Sequence, residues 1–533
     1  MAKAYQADVA IVGGGIAGVV TALQLLDAGK RVIILERENE ARFGGSALEA
    51  FGGMFFVDSP EQRRMKIKDS PEQAYADWKS FAAFEPGEVW PTIWAKHLVE
   101  RSTPDGRDWL KPFAIRWMPV VLWVERGQTP RGNSVPRFHL TWGTAKHLIT
   151  QLIKALRAHR HARERLGLCF GHRVDRIDMH NGKVYACSGE IDGGEEFRAS
   201  ADVVVIAAGG IGGDLKQVRK AWDPGNDLKV PETILLGTHP GADGRALDAA
   251  KAVGANVDNV GRMWNYAGGI RHPRPGWPGH GVSLVPPKSA LWVDAHGKRM
   301  VPPMVSGFDT YDLVQRVAGS PLGFTWQILN RRIALKELAA SGADWNPALR
   351  ERRIVRFVLD MLAGNKWLVD DLTTNCPDVL VADNVTDLVA KMNALKPKAQ
   401  LDAQALHDEI ARFDLTVASG TADEQRRLIE ELRGYRGDKM RLAKPQRILD
   451  AKGGPLIAMC EHIVTRKSLG GIVTDLRSRA LNGSGQPVPG LYAVGEAAGF
   501  GGGGSHGHRA LEGTFLLSCV ITARRAAESI IKG

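Results

Sequence analysis

Cysteine is scarce in this chain and forms no pattern: Cys169, Cys187, Cys376, Cys460 and Cys519 are odd in number, widely spaced and never paired as CxxC. That excludes a disulfide framework and argues against a zinc site, so no metal is expected. The absence of CxxCH and of clustered thiols removes haem and iron-sulfur centres carried by the chain itself. A membrane span is missing too. The uncharged stretch from Val9 to Leu26 is short for one and contains four glycines. No basic leader precedes it, because acidic Asp8 and then the glycines follow the start directly, and a cytoplasmic protein is expected. Excess negative charge is also lacking, the formal balance being +11. The most basic run, Arg157 to Arg165, continues a helical pattern and reads as its solvated end; no nucleic-acid recognition motif accompanies it.

What the chain has in abundance is glycine, 60 residues gathered in short runs where backbone must approach something closely. The opening segment DVAIVGGGIAGVVTALQLLDAGKRVIILER predicts a buried strand, a glycine turn, a helix and a second strand. Gly13, Gly15 and Gly18 fall on the GxGxxG spacing between first strand and helix. Gly13 permits the tight turn, Gly15 lets backbone reach a pyrophosphate, and Gly18 lets the helix pack closely. Ile16 and Ala17 open that helix, whose N-terminus offers unpaired N–H groups to an anion. Glu36 ends the second strand eighteen residues after Gly18, where a carboxylate can accept from an adenosine ribose, and Arg37 follows it.

Further glycine-rich segments recur far along the chain, as a long flavin dinucleotide crossing a domain requires, so FAD is expected rather than NAD. FGGSALEAFGGMF would carry Gly44, Gly45, Ser46, Gly52 and Gly53 past the pyrophosphate and the flavin edge. AAGG would bring Ala208 and Gly209 to the adenosine end, and LYAVGEAAG would place Glu496 near the ribityl chain. Each segment taken singly could be a plain turn.

The length predicts more than one domain. The fold class expected is α/β: a discontinuous Rossmann-like FAD-binding domain over 1–261 and 467–533, with an α+β capping domain inserted at 262–466. Residues 144 to 165 predict a helix, Asn181-Gly182 a hairpin turn, ADVVVIAAGG a strand returning to the first sheet, and residues 241 to 256 a further helix. Residues 55–142 carry seven of the fourteen tryptophans and little periodicity. They read as an insertion packed on the main body or as an aromatic wall facing a lipophilic substrate or membrane.

FGGSALEAFGGMFFVDSPEQRR, THPGADGRALDAAKAVGAN, SLGGIVTD and VPGLYAVGEAAGFGGGGSHGHRALEGTF, with the opening fingerprint, resemble the fumarate reductase and 3-ketosteroid dehydrogenase superfamily of flavoproteins over nearly the whole chain. The resemblance implies an FAD-dependent oxidoreductase that exchanges hydride between flavin N5 and a carbon–carbon bond adjacent to a carbonyl. It implies that Val174 contacts adenine and that Leu511, Thr514 and Phe515 start a helix aimed at the flavin pyrimidine. Arg509 matches the arginine that fumarate reductases carry in a glycine-rich loop, and the neighbouring His506 and His508 are candidates for substrate and proton contacts. Tyr311 aligns with their proton-donating arginine and is the candidate acid or base. Ordinary readings stay open beside these: Arg509 as a bridge, the histidines as loop residues, Tyr311 as core.

Four departures from the family pattern shape the substrate and cofactor expectations. Trp264, Asn265 and Tyr266 stand where fumarate reductases bind a substrate carboxylate with histidine, and the double histidine before SLGGIVTD is missing, so a larger, less charged carbonyl compound is expected. No histidine lies between Arg42 and Phe55, so FAD is expected to be noncovalent. Ser46 and Ala47 replace the usual Asn and Ser or Thr, leaving the bond near N5 open. A separate electron donor or acceptor is implied. A fumarate-like enoate reductase and a flavin electron-transfer protein without a small carbonyl substrate are the alternatives.

Overall fold

The computed structural model describes residues 2–127, 130–223, 228–419 and 423–533. The chain divides into two compact units, Met1–Asp223 with Thr238–Trp264 and Lys467–Gly533, and Pro224–Gly237 with Asn265–Arg466.

In the first unit, β1 (Lys3–Val12) lies in the middle of a parallel sheet. It pairs with β2 (Val32–Leu35) on one side and with the strand Glu196–Ile206 on the other. Leu166–Cys169 adds beyond β2, and Pro487–Ala493 adds beyond residues 204–206. The strands read VAIV, VIIL and VVVI because both faces of the sheet are covered, one by the helix that follows β1 and the other by a core that includes the antiparallel hairpin 172–191. Helix α1 (Ile16–Asp27) is buried over most of its length, between this sheet and the C-terminal helix Thr514–Lys532. The expected hairpin is present: strands His172–His180 and Lys183–Ile191 meet at Asn181 (φ 48°) and Gly182 (φ 75°), two positive values that suit a tight primed turn. The hairpin pairs antiparallel with the first half of Glu196–Ile206, which runs parallel to β1 from residue 197 to 206 and takes Pro487–Ala493 beside its second half.

The tryptophan-rich insertion is packed inward, and none of its seven tryptophans is exposed. Helices Pro71–Ala82 and Val89–Arg101 present Trp78 and Trp94, both fully buried. Trp78 Nε1 donates to the Ser505 carbonyl at 2.9 Å, and Trp94 Nε1 to the Thr474 carbonyl at 3.1 Å. A Cβ at Gly501 would lie 2.7 Å from the Trp94 ring, so the ring is laid flat on glycine backbone. The insertion thereby fixes the 499–508 loop. Trp94→Ala is expected to cost about 3–5 kcal/mol through the cavity it leaves, read as a lower melting temperature and easier proteolysis of that loop.

The second unit is built on a mixed sheet with Thr325–Asn330, Leu456–Ser468 and Met263–Arg271 at its middle, and helices such as Val385–Leu395 and Ala403–Ser419 bury one apolar core with it. The sequence led to the expectation of an α+β domain here, with no strand located in it. The difference has a physical cause: these strands are buried on both faces and carry Thr325, Gln327, Glu461 and His462 inside, so neither alternation nor an apolar run marks them. Residues 234–236, which the sequence kept with the first domain, pair in parallel with residues 463–465 in this second sheet.

Candidate functional site

The glycine segments meet in the first unit. A Cβ at Gly13 (φ 103°) would stand 2.6 Å from the Ala207 carbonyl oxygen, and one at Gly18 only 2.1 Å from the Gly13 carbonyl oxygen. These two glycines are required by protein packing. Gly15 differs: its φ is −72° and a Cβ there would meet nothing within 4 Å. It begins α1 without any side-chain cap, so no side chain at the N-cap satisfies the first-turn N–H groups. Gly45 lies over it, a Cβ at Gly45 coming 3.3 Å from the Gly15 Cα. From the far end of the chain, a Cβ at Gly495 would lie 3.0 Å from that of Ala17, while Glu496 Oε1 accepts from Ser468 N at 3.0 Å and would crowd a Cβ at Gly210 to 2.6 Å. Ala208 and Gly209 (φ 79°) thus run between the Gly13 turn and Glu496. An uncapped helix start under a glycine roof is a cradle that fits a dinucleotide pyrophosphate.

Glu36 is buried, and its two oxygens accept from Gly14 N at 2.7 Å and Glu38 N at 2.9 Å. Burial holds its carboxyl above the ordinary carboxylate value, against those two amide bonds. Arg37 reaches back to the Gly241 carbonyl at 3.1 Å and Asp243 at 2.8 Å, tying down the turn before the helix Arg245–Ala252. Val174 is buried in the core beneath the hairpin. Ser46 lies in the short helix Gly45–Leu48 and uses its carbonyl for the turn that follows. Gly52 and Gly53 have a different explanation from the flavin edge: a Cβ at Gly52 would strike Ala145 N at 2.4 Å, and one at Gly53 would enter the Phe138 ring at 1.9 Å.

Around the start of the C-terminal helix the side chains are aromatic. His506 is fully buried, stacked on Trp78 at 5.2 Å and set against Phe500 and Phe515. Thr514 donates its hydroxyl to the Leu511 carbonyl at 2.5 Å, so the 2.8 Å contact between His506 Nε2 and Thr514 Oγ1 requires the proton on Nε2. His506 is therefore enclosed in packing and orders the turn from buried Leu511 to Phe515. Trp264 joins this cluster, its indole donating to Glu512 at 2.8 Å. His508 is half-buried and bonds Glu85 at 3.2 Å; burial lowers its pKa, aided by Arg262, while Glu85 raises it. Arg509 follows, its backbone amide directed at the Ala82 carbonyl. Asn265, Tyr266 and Tyr311 belong to the second unit; Tyr311 is half-buried in the first turn of the helix Thr310–Ala318, capped by Asp309.

The family model described as FAD binding domain matches residues 8–516. The chain belongs to this FAD-binding family. It is 43% identical over 528 residues to a KsdD-like steroid dehydrogenase of Mycolicibacterium smegmatis, covering 96% of each chain. Among solved structures, it resembles a 3-ketosteroid delta1-dehydrogenase from Sterolibacterium denitrificans in complex with 1,4-androstadiene-3,17-dione, with a TM-score of 0.72 at 16% identity and coverage of 99% of this chain and 100% of that one. It also resembles the open conformation of a flavocytochrome c3 fumarate reductase, with a TM-score of 0.69 at 18% identity and coverage of 99% and 78%. The protein is an FAD-dependent oxidoreductase with the α/β fold of these flavoproteins, and among its described residues no helix is long and apolar enough to cross a membrane.

Within this flavoprotein the sequence reading overlooked Lys467. Arg466 and Lys467 stand directly before SLGGIVTD, where histidines were expected. Lys467 Nζ lies 4.0 Å from the centroid of Phe515, a cation–π distance, beside His506. The position of Lys467 directly ahead of the glycine motif was the available signal. In the second unit, Asp378, Cys460 and His462 bring ligand-type atoms within 4.8 Å of one another. Arg271 already binds Asp378 through Nε at 2.9 Å and Nη2 at 2.6 Å, and burial followed by Lys396 lowers His462 to about 4, so the local positive charge comes from side chains.

Burial, reinforced by Lys467, lowers His506 to about 3. The unfolded chain protonates this imidazole near pH 6.5 and the folded chain refuses the proton, so the contribution is complete above pH 6.5 and shrinks as pH falls toward 3. Each unit of such a shift corresponds to about 1.4 kcal/mol. His97 and His139, both lowered to about 4, act in the same direction. The melting temperature is expected to drop across this window, and His506→Gln to show a shallower drop from a lower plateau.

Proposed function

We propose that this flavoprotein desaturates or reduces a carbon–carbon bond next to a carbonyl in a lipophilic, ketosteroid-like substrate. The observation that carries the reading is the 43% identity, along nearly the full length of both chains, to a KsdD-like steroid dehydrogenase. The aromatic surroundings of the Leu511–Phe515 turn support it, with Trp264 in place of a carboxylate-binding histidine and satisfied by Glu512.

The turn from Gly13 to Gly18, Gly45, Gly209, Glu36 and Glu496 would hold the cofactor noncovalently, and FAD when bound supplies the two-electron acceptor or donor. Arg509 polarises the substrate carbonyl, since a guanidinium offers fixed donors to a developing oxyanion. Polarisation acidifies the adjacent carbon, and Tyr311 takes or gives the proton there. The Tyr311 hydroxyl exchanges that proton from the first turn of Thr310–Ala318. His508, held by Glu85, orients the Arg509 loop. Trp264 and Phe515 keep water from the apolar side of the turn. A separate electron partner completes the cycle.

A second reading, reduction of a carboxylated enoate, is favoured by the Lys467 ammonium beside Phe515, which would pair with an anion. Turnover of 3-ketosteroids with an artificial acceptor, followed by mass spectrometry, decides between them. Loss of two hydrogens from the steroid supports the first reading. Reduction of fumarate-like acids alone transfers it to the second, and turnover of neither class removes both.

A further inference from the structure

The pyrophosphate cradle at Gly15 is joined to the start of the C-terminal helix by two routes through the first unit. On one, a Cβ at Gly495 would stand 3.0 Å from the Ala17 Cβ and 3.2 Å from the Cys519 Sγ. Cys519 lies four residues, about 6 Å along the axis, inside the helix Thr514–Lys532 from Phe515. On the other, the segment that roofs Gly15 at Gly45 runs on to Phe55, whose amide donates to the Gly513 carbonyl at 2.9 Å. Both routes end at the Gly513–Phe515 turn. A dinucleotide anchored by its pyrophosphate at Gly15 and extended along them brings its ring toward that turn.

Positive potential gathers at the same place. The helix Thr514–Lys532 begins at Gly513 (φ 93°) with no side-chain cap and no acidic residue in its first turn, so its leading amides present partial positive charge. Lys467 Nζ stands 4.0 Å from the centroid of Phe515, the second residue of that helix. An aromatic face holds a cation without cancelling its charge. The field of this ammonium extends along the turn, opposing protonation of His506 and favouring ionisation of Cys519. His506 itself, enclosed by burial, stays uncharged. The neighbouring carboxylates are engaged by N–H donors: Glu496 accepts from Ser468 N at 3.0 Å, and Glu512 from Trp264 Nε1 at 2.8 Å.

We propose that Lys467 sets the redox potential of the bound flavin, its ammonium stabilising the negative charge that the ring gains on reduction. Hydride reaching N5 from a substrate C–H bond carries two electrons and one proton, so an uncharged ring becomes an anion. With an ammonium nearby, that anion needs no second proton. The inference rests on FAD binding at Gly15 and is independent of the steroid assignment; it gives the Lys467 charge to the cofactor and not to a substrate carboxylate.

The test is the midpoint potential of the holoprotein, read anaerobically against reference dyes, together with its affinity for sulfite, which adds to the oxidised ring and leaves negative charge on it. Lys467→Met is expected to retain FAD and to lower the ratio of reduced to oxidised flavin at a given potential at least tenfold, a fall of about 30 mV for a two-electron couple. Sulfite binding should weaken at least tenfold as well. Lys467→Arg keeps the charge and should stay near the parental values. Should the methionine protein lose its flavin, Lys467→Gln carries the comparison with the same expected direction. An unchanged potential and sulfite affinity in the uncharged variant overturn the proposal. So does an arginine protein shifted as far as the uncharged one, or a loss confined to affinity for fumarate-like acids, which would give the charge to the substrate.

Discussion

Gly15→Val is expected to yield a folded protein that no longer holds FAD. The backbone at Gly15 has φ −72°, which any residue adopts, and a Cβ there would meet no protein atom within 4 Å. The chain itself therefore has no objection to valine. The added methyls instead occupy the opening above the first turn of α1, where a pyrophosphate must approach backbone. A loss of at least about 100-fold in FAD affinity, about 2.7 kcal/mol, is expected, with the apoprotein melting as the parental apoprotein does. Gly18→Val supplies the contrast. Its Cβ would stand 2.1 Å from the Gly13 carbonyl oxygen, so helix and strand must part, and little folded protein is expected. Flavin absorbance after gel filtration, read with a thermal melt, separates the two outcomes. Equal FAD retention by the Gly15 variant would place the cofactor elsewhere.

Arg509→Met is expected to lower kcat by about 10²–10³ with full flavin content, the usual effect of removing one donor from a developing oxyanion. Arg509 lies in the loop that Trp78 and the Ala82 carbonyl hold in place, so the backbone should keep its course without the guanidinium. Tyr311→Phe keeps the ring and removes the hydroxyl, and a loss of about 10²–10⁴ is expected if that oxygen moves the proton. Stopped-flow flavin reduction by a 3-ketosteroid checks both. A merely structural role for Tyr311 would leave reduction at the parental rate, and a merely binding role for Arg509 would raise KM without touching kcat.

The nucleotide-binding half was legible because its physics is written locally. VAIV, VIIL and VVVI are apolar runs because parallel strands are covered on both faces, and Asn181-Gly182 takes the positive φ pair that a tight hairpin needs. The second unit was less legible. Leu456–Ser468 buries Glu461, His462 and Thr465 within a strand, so its pattern resembles neither face of a regular element. The glycine runs told where backbone comes close but not to what. Gly15 faces open space, whereas Gly52 and Gly53 make room for Ala145 and Phe138. His506 could be read as a loop histidine or a substrate contact until Trp78 and Phe515 were seen around it, since the aromatic enclosure comes from residues far apart in the chain. Lys467 went unread because histidines were expected there, whereas the cation that stands at this position lies over the Phe515 ring.

The most direct test of the account is anaerobic titration of the holoprotein with a 3-ketosteroid while the visible flavin band is followed. Stoichiometric bleaching, with the steroid recovered two hydrogens poorer, or reoxidation of chemically reduced flavin by the unsaturated steroid, is the predicted result. A flavin indifferent to both forms of the steroid, in protein that is folded and fully loaded with FAD, would contradict it.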